Sequence, residues 1–176
     1  MNIYMVRHGK TAMNEKGLIQ GSSNTKLSEL GINQANEAKK MLQDVKFDIC
    51  ISSPLERTIK TASIIVDNKC KIITDDRLLE RIMGEFEGMP HDEYVKGNYW
   101  DLELNSGDKG VEPVKDLFKR ANDFLSYLKT LNYENVLIVS HAAIIRAIHF
   151  CIIGYDSSTK FLDFYPKNGT VYKYKL

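Results

Sequence analysis

Residues 2–9 read Asn2-Ile3-Tyr4-Met5-Val6-Arg7-His8-Gly9. An apolar run of strand type stops at a cation, an imidazole and a glycine, and Lys10 adds a second cation. A strand without polar alternation is one covered on both faces. The pattern recurs at 48–52 (Asp-Ile-Cys-Ile-Ser), 71–74 (Lys-Ile-Ile-Thr) and 136–140 (Val-Leu-Ile-Val-Ser). Helical signals lie between these runs. Ser28 offers an N-cap to a stripe of Ile32, Ala35, Met41, Leu42 and Val45, ending near residue 45. Pro54 opens a helix through Arg57 to about Val66, because its missing N–H would be unpaired there anyway. Residues 112–131 keep Val114, Leu117, Phe118, Ala121, Phe124, Leu125, Leu128 and Leu131 on one face. Another helix starts near residue 143. Residues 161–165 and 170–175 alternate apolar and polar side chains, as half-exposed strands do. Strands of buried type alternating with helices predict an α/β fold: three layers, α/β/α, around a largely parallel central sheet.

Two stretches carry neither pattern. Residues 10–27 are polar, with Gly17 and Gly21, and read as a long loop. Residues 80–110 contain Gly84, Gly88, Pro90, Gly97, Gly107 and Gly110, with room for a short helix near 91–100. So long an irregular stretch in a compact domain has a use, and 85–110 is expected to be a lid or substrate-facing region. Its Tyr94, Tyr99 and Trp100 are read as a hydrophobic cluster beneath a loop or as a surface for a ring-bearing substrate.

The 176 residues predict one domain, 1–176. Lys and Arg total 24 against 23 Asp and Glu, so nothing favours nucleic acid or a membrane surface as partner, and any anion site must be local. Cys50, Cys70 and Cys151 are odd in number and form no Cys-x-x-Cys, which suggests neither a disulfide framework nor a zinc knuckle. Cys50 and Cys151, in apolar runs, are expected to be buried. No signal peptide or transmembrane-length stretch is visible, and a cytoplasmic location is the default. The oligomeric state, monomer or dimer, is left open.

Ligands of parallel sheets bind beyond the carboxyl ends of the strands. That rule selects Arg7 and His8 after the first strand, Ser52, Ser53 and Arg57 after the second, Glu80 after the third, and Ser140 and His141 after the fourth. Singly, each has an ordinary explanation: a strand-end ion pair, a solvated helix face, a core histidine. Clustered at one edge without an anion, the cations would repel one another. The set suits phosphoryl transfer. Arginine forks match phosphate oxygens, a neutral imidazole is a nucleophile, a second imidazole can donate to a phosphoryl oxygen, and a carboxyl group can protonate a leaving alkoxide. No metal or other cofactor is expected; a His/Asp/Glu metal site is disfavoured because paired arginines repel a cation.

These residues resemble the histidine phosphatase superfamily, in its phosphoglycerate mutase-like branch. The resemblance runs through Arg7-His8-Gly9 with Asn14, Gln20-Gly21, Leu27-Ser28-x-x-Gly31-x-x-Gln34-Ala35, Ser52-Ser53-Pro54-Leu55-x-Arg57-Thr58, Leu79-Glu80 with Gly84 and Glu87-Gly88, and Ser140-His141 with Ile145-Arg146-Ala147. It implies a phosphoglycerate mutase-like fold and a metal-independent phosphomonoesterase acting on a small-molecule phosphate ester. His8 would be the phosphorylated nucleophile. Arg7, Arg57 and His141 would hold the phosphoryl group, and Glu80 would act as proton donor. Asn14, Gln20, Gly21, Lys10 and Glu112 would bind substrate. Three departures bear on substrate: Lys10 stands where the family commonly has an acidic residue or Gln, Ala142-Ala143 where it commonly has Gly-Gly, and Asn24 and Lys26 where Asp and Pro are usual. The family's mutases are longer, so hydrolysis is expected ahead of mutase-type transfer or a non-catalytic phosphate-ester-binding module.

Overall fold

A computed structural model describes residues 1–176; at positions 93 and 95 the description stops at the backbone. The four apolar runs form Asn2–Arg7 (β1), Ile49–Ser52 (β2), Ile72–Thr74 (β3) and Asn135–Ser140 (β4), all mutually parallel where they pair. Val171–Lys175 (β5) closes one edge antiparallel to β1, giving the order β3-β2-β4-β1-β5. The helices are Ala12–Glu15 (α1), Glu29–Met41 (α2), Glu56–Val66 (α3), His91–Val95 (α4), Val114–Thr130 (α5) and Ala142–Ile153 (α6).

The period-two geometry of the strands sorts their side chains into two cores. Ile3, Met5, Ile49, Ile51, Val136 and Ile138 face α5 and α6. Tyr4, Val6, Cys50, Leu137 and Val139 face Ala38 and Leu42 by α2, and Ala62, Ile65 and Val66 of α3. Both faces are therefore covered, as the unbroken apolar runs require. Each such side chain contributes about 1.5–3 kcal/mol relative to exposure.

Several boundaries differ from the sequence pattern. Within the expected loop 10–27, α1 is held by a reciprocal cap in which the Thr11 side chain accepts from Asn14 N and Asn14 Oδ1 accepts from Thr11 N. α2 ends at Met41, and Val45 and Phe47 reach the core from the following turn. Residues 161–165 are not a strand. Phe161–Asp163 is a 3₁₀ turn, because Phe161 and Phe164, three residues apart, both turn inward. Phe161 packs on Phe150 at 5.0 Å and Phe118 at 5.1 Å, and Phe164 stacks on His149 at 3.8 Å. Cys50 is buried, whereas Cys151 is only partly covered.

The irregular stretch is tied to the body. Arg81, fully buried, donates to Tyr94 Oη (2.9 Å), the Tyr99 carbonyl (2.8 Å) and the Glu112 carbonyl (2.8 Å). Tyr94 and Tyr99 stack 5.1 Å apart, and Phe86 meets both edge-on. Among the described residues no helix is long and apolar enough to cross a membrane.

Candidate active site

Strand register levels the functional residues. Arg7 pairs with Ser140 and Ser52 with Val139, so β1, β4 and β2 end side by side. The next residues extend the ladder by one step: His8 N donates to the Ser140 carbonyl (2.9 Å) and Ser53 N to the Val139 carbonyl (3.0 Å). His8 and His141 consequently face each other, ring centroids 5.1 Å apart.

His8 has a defined tautomer. Its Nδ1 lies 2.7 Å from the Gly9 carbonyl, which can only accept, so Nδ1 carries the proton and Nε2 the lone pair. Burial, followed by Arg7 and Arg57, holds its pKa well below the usual histidine range. The ring is a neutral base. His141 is opposite in sense. Its Nδ1 accepts from Arg57 Nε (3.2 Å), so Nε2–H donates to Ser53 Oγ (2.8 Å). Burial, then Arg57, pushes its pKa well down too.

Arg57, in the first turn of α3, is fully buried and also donates to the Ser23 (2.6 Å) and Gly21 (2.8 Å) carbonyls. Burial lowers its pKa to about 10 against the opposing pull of Glu80 and Glu87, so it stays charged near neutrality. Arg7 donates to Tyr165 Oη (3.0 Å) and the Pro166 carbonyl (2.9 Å), while its buried Nε has no partner. An unpaired buried guanidinium N–H marks a place for an acceptor.

Glu80 sits at the N-terminus of α6, where Oε1 accepts from Ala143 N (3.0 Å) and Arg81 N (2.9 Å). Neither Ala142 nor Ala143 has positive φ, so alanine serves without strain where the resemblance has glycine.

Arg7, Asn14, Gln20, Glu80 and Ala143 line one cavity of about 280 Å³, together with Met83, His91, Tyr94, Trp100, Arg146 and Tyr165. A neighbouring groove of about 450 Å³ shares Arg7, Asn14, His91 and Tyr165 with it and adds Lys10, Gln34, Lys167 and Asn168. Lys10 thus faces the groove. Asn14 spends Oδ1 on its helix cap, leaving its amide N–H₂ for a ligand. Gln20 braces the loop between Thr11 Oγ1 (2.8 Å) and Thr25 Oγ1. Gly21 contributes the carbonyl that holds Arg57. Glu112 lines neither cavity; it binds Arg120 through both oxygens, at 2.7 and 2.9 Å. Arg120 in turn donates to the Leu79 (2.7 Å) and Glu80 (3.2 Å) carbonyls. Glu112 therefore braces the segment carrying Glu80. Sequence reasoning placed Ser53 at the strand edge and Arg146 in a motif without giving either a role, and it passed over Tyr165. Only Arg146, a lone cation in the apolar helix α6, carried a usable signal. Among the described residues no three His, Cys, Asp or Glu side chains converge on a metal-sized point.

The family model of the histidine phosphatase superfamily (branch 1) matches residues 3–176. The "Putative phosphoserine phosphatase 2" of Hydrogenobacter thermophilus is 34% identical over 160 residues, spanning 86% of this chain and 78% of the relative. The "Probable phosphoglycerate mutase GpmB" of Yersinia pestis is 32% identical over 163 residues, spanning 88% and 75%. Among solved structures, the alpha-ribazole phosphatase from Shigella flexneri superposes with a TM-score of 0.83 at 26% identity, covering 98% of this chain and 89% of that one.

Proposed function

The chain belongs to the histidine phosphatase superfamily, and on that footing we propose that it is a metal-independent phosphomonoesterase that hydrolyses a small phosphate ester through a phosphohistidine on His8. The observation that carries this reading is the His8 tautomer: Nδ1–H is tied to the Gly9 carbonyl, and burial with Arg7 and Arg57 keeps Nε2 unprotonated.

In the first half-reaction the phosphoryl oxygens lie against Arg7 and Arg57. His8 Nε2 attacks phosphorus, the bond from phosphorus to the leaving oxygen breaks, and Glu80 passes its proton to that oxygen. In the second, the Glu80 carboxylate takes a proton from water as the water oxygen attacks phosphorus. The P–N bond breaks, returning neutral His8 and inorganic phosphate. The fixed guanidiniums stabilise the equatorial oxygens, and they repel a metal cation from the same place. The mouth shared with the wider groove, where Gly17 and Lys167 are exposed, admits water, which favours hydrolysis over mutase-type transfer. A protein that only bound phosphate esters would need neither the free Nε2 nor the carboxyl group.

Hydrolysis of p-nitrophenyl phosphate in chelator, by the native chain and by His8→Ala, tests the proposal. Native turnover that persists in chelator is expected to fall by on the order of 10³ or more in the variant. An acid-labile phosphoenzyme should form only on the native chain. Turnover lost to chelator, or retained by His8→Ala, refutes it.

A further inference from the structure

Glu80 fixes where the rest of the substrate must lie. If it protonates the leaving oxygen, the leaving group occupies the cavity that Glu80 lines, and not the Lys10–Lys167 groove, which has no carboxyl group. That cavity contains a second cation with no role in the phosphoryl chemistry. Arg146 is 5% exposed. Its Nε donates to the Phe164 carbonyl (2.7 Å), and its guanidinium lies 4.6 Å from the Trp100 ring centroid and 5.9 Å from that of Tyr165. Its two terminal amines make no hydrogen bond to a described residue, and no described carboxylate lies within ion-pair distance. Burial lowers its pKa to about 10, with Glu80 opposing, so it remains charged near pH 7. A desolvated guanidinium over an indole, lining a cavity with its terminal N–H groups unbonded, is destabilising unless an anion meets it.

Resting on the phosphatase reading, we infer that Arg146 is a specificity residue that binds a second anionic group on the leaving half of the substrate, beyond the phosphoryl group held by Arg7 and Arg57. The guanidinium carbons of Arg7 and Arg146 are 5.3 and 5.9 Å from the same Tyr165 ring centroid, so they are at most about 11 Å apart, within the reach of one small substrate. With Nε already engaged, the two terminal amines present the planar fork that a carboxylate or a second phosphoryl group accepts.

Matched ligands separate this from the parent reading. O-phosphoserine and O-phosphoethanolamine differ only in a carboxylate; propane-1,3-diol bisphosphate and monophosphate differ only in a phosphoryl group. Binding by calorimetry and kcat/KM are measured for each pair with the native chain, Arg146→Met and Arg146→Lys. The native chain is expected to prefer one dianionic-plus-anionic member by ~10-fold or more, through KM. Arg146→Met should bring that ratio close to one, and Arg146→Lys should keep part of it. Which pair shows the preference identifies the anion. A native ratio near one in both pairs overturns the inference. So does an Arg146→Met variant that weakens both members equally, the mark of a merely structural role, which a fall in Tm would accompany. If neither p-nitrophenyl phosphate nor any of the matched esters is hydrolysed but the binding preference exists and depends on Arg146, the anion site stands and the phosphatase reading falls.

Discussion

Replacing Gly31 with alanine tests whether the start of α2 positions the nucleophile. A Cβ at Gly31 would lie 2.0 Å from the Lys10 carbonyl oxygen, 2.8 Å from Lys10 N and 2.9 Å from Lys10 C. The converse also holds, since a Cβ at Gly9 would lie 2.1 Å from the Gly31 oxygen. Every one of these atoms is backbone, so no rotamer change relieves the overlap. Restoring a 3.0 Å separation requires α2 and the segment after His8 to part by about 1 Å. That movement stretches Ser28 N to the Lys10 carbonyl (2.9 Å) and Lys10 N to Gln34 Oε1 (2.9 Å). Overpacking of this kind costs about 1–3 kcal/mol. At about 2–4 °C per kcal/mol for a chain of this size, Tm should fall by roughly 2–12 °C. A shift of about 1 Å beside His8 should lower kcat for p-nitrophenyl phosphate by up to ~10²-fold. Gly154→Ala is the comparison. Gly154 has φ of +87° with open space around it and caps α6 at the end away from His141, so alanine there should lower Tm through backbone strain alone, with kcat kept. If Gly31→Ala melts and turns over like the native chain, the contact does not position the site.

Two further outcomes follow from the geometry. Glu112→Gln weakens the pair with Arg120, which also holds the Leu79 and Glu80 carbonyls. Stability should fall by about 1–3 kcal/mol and kcat by ~10-fold with KM kept, whereas a rise in KM alone would make Glu112 a substrate contact instead. The pH dependence comes from the histidines: burial is the leading cause that lowers the pKa of His8, His91, His141 and His149. The unfolded chain takes up protons near pH 6.5 that the folded chain refuses. Stability is therefore full above about 6.5 and falls below it, chiefly through the buried His8 and His141, by up to ~1.4 kcal/mol per pH unit for each of these two. Urea unfolding at pH 7.5 and 5.5 should show the loss, and His8→Asn/His141→Asn should shrink it; equal stability at both pH values would contradict the neutral-histidine assignment.

Much of this was readable in the chain because functional residues follow directly on buried strands. The runs ending at Val6, Ser52 and Ser140 announce both the sheet and the edge on which Arg7, His8, Ser53 and His141 stand. What stayed hidden depends on tertiary packing. Residues 161–165 and 171–175 alternate alike, yet only the second finds a strand partner, in β1; the first is turned by Phe161 and Phe164 into the aromatic cluster. The four residues of α1 are too few for a periodic signal, and only the Thr11–Asn14 cap foretells them. Arg146 entered the sequence reading only as part of the Ile145-Arg146-Ala147 motif, because nothing local tells that Trp100, 46 positions away, lies under it. Glu112 sits near the candidate acid, but Arg120, two turns along on α5, turns it into a brace.

The cations of the site act twice on the proposed reaction. Before a phosphoryl group binds, Arg7 and Arg57 suppress protonation of His8, which keeps Nε2 available as a nucleophile. A bound phosphoryl dianion offsets the same two charges, so the field that disfavours a positive imidazole weakens as the P–N bond places positive charge on the ring. Nδ1–H on the Gly9 carbonyl stabilises that charge from the far side of the ring, as a carbonyl dipole does for an imidazolium. Neutral for attack and stabilised once phosphorylated, His8 needs no proton transfer of its own. In the proposed reaction proton movement is left to Glu80, held by the Ala143 amide of α6 and, at its carbonyl, by Arg120, which Glu112 pairs. In that reaction the nucleophile, just after β1, and the acid, on the segment ahead of α5, stand on separate elements, which keeps them from pairing directly while one serves the phosphorus and the other the leaving oxygen.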